Sequence, residues 1–91
     1  MNILIFQSTY EESGYFDKDA QGWCAYIVEI ACKDGKNVTI RRFFDANGYI
    51  AMDSTHHGIV QEINKEIVTI LLEKGEKLYY SLQEKRLVIP N

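Results

Sequence analysis

The stretch from position 55 to 74, THHGIVQEINKEIVTILLEK, constrains this chain more than any other. Ile59, Val60, Ile63, Ile67, Ile70 and Leu71 recur in it at three- and four-residue steps. At about 100° per residue they fill a sector about 120° wide, the pattern of a helix with one buried face. Ser54 or Thr55 can cap its start, and Asp53 places negative charge at the positive end of the helix dipole. Gly75 can take the left-handed conformation at which helices stop. Such a helix is about 30 Å long. Val68 and Leu72 lie off the apolar stripe, four residues apart and stacked. Three readings compete for them: the edge of a wide core face, a contact with the C-terminal tail, or a patch for a partner.

The rest of the chain reads as a sheet that covers this helix. Residues 2–7, NILIFQ, are apolar on both faces, which suits an interior strand. Residues 10–22 break the pattern, with Glu11, Glu12, Asp17 and Asp19 among Tyr10, Tyr15 and Phe16, and Gly at 14 and 22. They read as a long loop, a feature often tied to function. Residues 23–33 form the longest strand candidate. Asp34-Gly35 then marks a hairpin turn, and residues 38–44 return antiparallel. A second turn at 45–48 leads into the helix. Residues 78–82 and 86–89 are short apolar pieces, the last ended by Pro90. The expected architecture is one α+β domain over residues 1–91. Its order is β-β-β-α-β, an antiparallel three-stranded meander packed on one long helix, with short C-terminal strands.

Thirteen acids against ten bases give a net charge of −3. That balance argues against sequence-independent nucleic-acid binding, which needs a clustered basic footprint. Arg41, Arg42, Lys85 and Arg86 are the residues such a binder would use. No apolar run is long enough for a transmembrane helix, and the first residues lack a signal peptide's basic and apolar regions. A cytoplasmic location is expected, in which Cys24 and Cys32 are free thiols. On one regular strand the two are about 26 Å apart, beyond disulfide reach.

Chemistry-bearing patterns are incomplete. Residues 17–22, DKDAQG, imitate the start of a calcium loop, but its twelfth position is Val28, not Glu. His56 and His57 are adjacent, so on a helix they point about 100° apart and cannot make the i, i+4 pair of a zinc site. No catalytic residue, metal ligand or cofactor is expected. The loop at 10–22 reads either as a contact surface, apolar anchors inside a charged rim, or as a lid over the sheet end.

NILIFQSTY, GWCAYIVEI, VTIRRFF, HHGIVQEINKEIVTILLEKG and KLYYSL, in that order, resemble the first part of a ribonuclease H-like fold. That resemblance implies carboxylates holding two metal ions. Here Gln7 and Ser8 stand at the first strand, and Ser81, Leu82 and Gln83 end the fourth, with only Glu62 near the helical position. Nuclease activity is therefore not implied, and a degenerate, nucleic-acid-binding or nuclease-related domain is the alternative reading. The leading expectation is a non-enzymatic protein-binding inhibitor or regulator. Small phage anti-defence proteins, anti-CRISPR proteins among them, are its class analogue. Glu11, Glu12, Tyr15, Phe16, Asp17 and Asp19, with Val68 and Leu72 as a competing patch, would bind a basic-surfaced protein partner, and a homodimer is a further option.

Overall fold

A computed structural model describes residues 3–19 and 21–89. Met1, Asn2, Ala20 and Pro90, which entered the readings of the N-terminus, first strand, acidic loop and C-terminal stop, lie outside the described residues. The described chain is all β: β1 (Phe6–Asp17), β2 (Gly22–Cys32), β3 (Asn37–Ala46), β4 (Tyr49–Asn64), β5 (Ile67–Leu72), β6 (Lys77–Ser81) and β7 (Arg86–Val88). Each strand pairs antiparallel with the next, giving one seven-stranded meander in chain order. There is no helix among the described residues, and thus none long and apolar enough to cross a membrane.

The expected α+β fold is corrected at its centre. Residues 55–64 belong to β4 and 67–72 to β5, joined by the two-residue turn Lys65-Glu66 with Lys65 at φ 59°, and Glu73 and Lys74 turn toward β6. A β-bulge explains much of the helical appearance. Val60 faces Ile70 and Ile63 faces Val68, while Gln61 is left without a partner. The extra residue puts Val60 and Ile63 on one face although they are three apart in sequence. In β5 the period of two is plain: Val68, Ile70 and Leu72 are buried and alternate with half-buried Ile67, Thr69 and Leu71. Thr, Val and Ile dominate the segment, and their branched Cβ atoms favour a pleated surface over a helix. The helix that the ribonuclease H-like order requires is therefore this hairpin.

Other elements follow local chemistry. Between β2 and β3, the Asp34 carboxylate accepts from Lys36 N (2.9 Å), Asn37 N (2.7 Å) and Asn37 Nδ2 (2.7 Å), while Gly35 takes φ 78°. Between β3 and β4, Asn47 and Gly48 both have positive φ, the requirement of a tight hairpin turn that matches strand twist. The expected loop at 10–22 is mostly strand: β1 continues to Asp17, paired residue for residue with β2 apart from a bulge at Glu12.

Cross-strand partners share a face, so the ladders define which side chains line the interior. Phe6, Val28, Ile30, Cys32, Val38, Ile40, Val68, Ile70, Leu72 and Tyr80 form the core cluster. The sheet curls until β7 returns beside β1. Side chains close that seam: the Leu87 amide donates to the Tyr10 hydroxyl (3.1 Å), and Arg86 lies over the Tyr10 ring at 5.1 Å. Phe6 stacks on Tyr80 at 4.4 Å, and Ser8 Oγ bonds the Tyr80 hydroxyl at 2.9 Å. The result is a nearly closed barrel, drawn out to extents of 50 × 24 × 23 Å.

Candidate functional site, a four-stranded tongue

The elongation has a simple origin. β5, β6 and β7 are short, whereas β1 to β4 run on past them. Those four strands form a tongue beyond the closed core. Its base is the row Tyr10, Val28, Arg42 and Ser54, where a half-buried Arg42 replaces the aliphatic residues of the rows below and pairs with Glu12 at 3.4 Å.

Two faces follow from the registers. The face continuous with the barrel interior carries the rows Ser13–Tyr26–Phe44–Ala51 and Tyr15–Cys24–Ala46–Tyr49. Tyr26 and Phe44 are in tilted contact, centroids 5.1 Å apart. The opposite face carries Ile27–Phe43–Met52, Ala25–Asp45–Ile50 and Phe16–Trp23. Trp23 lies across Gly14, where a Cβ would collide with its ring, and its indole N–H donates to Glu11 at 3.0 Å. A ring laid over a strand glycine in this way supplies packing that the glycine lacks.

With no layer packed on either face, large apolar groups stay in water. Tyr49 is 84% exposed, Ile50 66%, Phe16 64%, Met52 59% and Trp23 52%. Ile3, Ile5, Ile59, Ile63 and Ile89 are exposed outside this set, yet every exposed aromatic among the described residues belongs to the tongue. Large apolar side chains thus stand exposed on both faces of the tongue. Desolvation, followed by the neighbouring Cys24 thiol, raises the Tyr15 phenol above its usual 10.0.

Carboxylates rim the apolar surface. Glu11 holds Trp23, Glu12 holds Arg42, Asp17 accepts from the Asp19 amide at 2.9 Å, and Asp45 accepts from Gly48 N at 3.0 Å. Asp53 occupies a bulge in β4, without a partner between the pairs Arg42–Ser54 and Phe43–Met52. Arg41 is matched by Glu29 at 3.0 Å on the outer face.

Compared with family models, curated proteins and solved structures, the chain matches none.

Of the sequence-derived residues, Glu11, Glu12, Tyr15, Phe16, Asp17 and Asp19 all lie on or beside the tongue. Val68 and Leu72 do not. Val68 is fully buried and Leu72 nearly so, both inside the barrel, so the outer-face patch disappears with the helix. Trp23, Phe43, Tyr49, Ile50 and Met52 join the surface without having been singled out. For Trp23 the signal was legible, since β2 is apolar on both faces, which in a chain this small requires either a second layer or an exposed one; for the residues of β3 and β4 it was not. His56 and His57 sit on a strand and so face opposite sides of the sheet. Among the described residues, no three of His, Cys, Asp and Glu converge to hold a metal. Cys24 and Cys32 are buried free thiols eight residues apart on unbroken β2.

Proposed function

We propose that this protein is a non-enzymatic binding module that inhibits or regulates another protein by docking its tongue on that partner. One observation carries the reading: exposed aromatics gather on the tongue and, among the described residues, nowhere else. Rigid aromatics give large contact area at small entropic cost, and a polar rim around them is the ordinary anatomy of a docking surface. Carboxylates in that rim favour a basic-surfaced partner, steering its approach and raising the association rate. Small inhibitors of host defence, anti-CRISPR proteins included, are the narrower class that this reading brings forward.

The test uses the full chain as bait, beside Phe16→Glu and Tyr49→Glu variants whose fold is checked by circular dichroism. A partner retained by the parent chain and lost by both variants is the expected result. A partner retained equally by all three removes the tongue from the function. For the narrower class, expression of the chain should restore plaque formation by a phage that a CRISPR-Cas host otherwise blocks.

A further inference from the structure

β4 is the longest strand, and its two neighbouring strands overlap along it only at Gly58 and Ile59. It pairs with β3 from Tyr49 to Ile59, but with β5 only from Gly58 onward. Positions 49–57 therefore have β3 along one side and, among the described residues, no strand along the other. An open edge presents backbone N–H and C=O groups to any extended chain that can lie beside it. Exposed Tyr49, Ile50 and Met52 flank the edge on both faces of the sheet.

Charge selects what can lie there. Asp53 sits in the middle of the edge and makes no ion pair among the described residues. Further along, where β4 meets the turn between β5 and β6, a pocket of about 360 Å³ is lined by Thr55, His56, His57, Leu72, Glu73, Lys74 and Glu76. Its two carboxylates face a single ammonium, and neither Glu73 nor Glu76 is in an ion pair among the described residues. A second copy of this chain fits badly, because antiparallel pairing of β4 with itself about Asp53 sets like charges together. The outer edge of β1 on the tongue is the other open edge. It is shorter, and its bulge carboxylate, Glu12, is already neutralised by Arg42.

We propose that the β4 edge over residues 49–57 accepts an extended basic segment of a partner protein as an added strand. Apolar side chains of that segment rest against Tyr49, Ile50 and Met52, one cation lies opposite Asp53, and another enters the pocket beside Glu73 and Glu76. From Asp53 to His56 and His57 in the pocket wall is three and four residues, about 10–14 Å along a strand, which sets the spacing of the two cations. This mode rests on the reading of the tongue as a protein-docking surface and names how the partner is held.

The probe is a fluorescein-labelled, acetylated nonapeptide of alternating lysine and valine, with two controls. One replaces lysine by glutamate; the other is N-methylated at the amides of one edge. Saturable anisotropy with the lysine peptide is expected, together with slowed hydrogen exchange at amides in 49–57 and unchanged exchange in 11–17. Asp53→Lys, and separately Glu76→Lys, should weaken binding at least about tenfold. The glutamate and N-methylated peptides should fail to bind. No saturable binding up to millimolar peptide, equal binding of the N-methylated peptide, protection confined to 11–17, or indifference to both charge reversals each overturns the proposal. Phe16 lies three strands away, so Phe16→Glu should leave peptide binding intact. A partner captured through Phe16 while the peptide fails removes the added strand and keeps the docking function. Peptide binding by this pattern with no partner lost on Phe16→Glu does the reverse.

Discussion

Gly58 shows how one residue decides where the barrel ends and the tongue begins. It is where β4 acquires its second neighbour, opposite Leu72. A Cβ there would stand 2.7 Å from the Leu71 carbonyl oxygen and 3.0 Å from side-chain atoms of Ile70 and Leu72. A backbone oxygen cannot swing away as a side chain can, so Gly58→Ala should destabilise the fold by about 1–3 kcal/mol, read from urea unfolding. Asp34 acts at the other kind of position, an exposed turn. Its bonds from Asn37 and Lys36, the Asn37 side chain first, lower its pKa from 3.8 to about 2. A depressed folded pKa means stability that is present in full above 3.8 and lost as pH falls through about 2. Asp34→Ala should therefore lower the melting temperature at neutral pH. Its difference from the parent chain should shrink as pH drops through that window.

Among the elements, the β4–β5 hairpin is the one whose sequence imitates something else. Two strands with a bulge at Gln61 and a turn at Lys65-Glu66 put apolar residues at three- and four-residue steps, as an amphipathic helix would. The two readings predict different costs for one substitution. Leu72 on the outer face of a helix would tolerate alanine, whereas Leu72 inside the barrel should lose about 2–5 kcal/mol in Leu72→Ala. Equilibrium denaturation of that variant decides between them, and far-UV circular dichroism of the parent chain should show a β spectrum without helical minima. β1 is the converse case. Glu11, Glu12, Ser13 and Gly14 have low strand preference, yet they form strand because β2 offers a ladder with few other claims on it.

For the whole molecule, the mismatch in strand length is the main fact. Three short strands complete a barrel around one end of four longer ones, and the surplus becomes a sheet with two exposed faces and two open edges. Such a surface invites aggregation unless guarded, and the bulge carboxylates Glu12 and Asp53 on the two edge strands oppose pairing with a second, like-charged copy while leaving the β4 edge open to a basic strand. The tongue can be altered without touching the core. Phe16→Ala and Tyr15→Ala should each leave stability within about 0.5 kcal/mol of the parent. Against an identified partner each should speed dissociation by a factor corresponding to about 1 kcal/mol or more. Interferometry at two salt concentrations separates that effect from charge reversal of Glu11 and Asp17, which should slow association instead.

What the sequence by itself determined was local. Asp34-Gly35 and Asn47-Gly48 could hardly be anything but turns, because few residues tolerate positive φ, and the apolar runs between them had to be strands. The acidic, aromatic character of residues 10–19 was equally legible, since it is a property of composition. Tertiary structure alone decided the remainder. Residues 55–74 satisfy a helical period and a bulged strand period alike. The choice fell to β3 and β6, whose free edges hydrogen-bond the hairpin on either side. The fate of Val68 and Leu72 followed from that choice, inside rather than outside. So did the exposure of Tyr49, Ile50 and Met52, because no pattern within β4 records that β5 stops pairing with it at Gly58. Pairing between strands distant in sequence carries that information, and local periodicity does not.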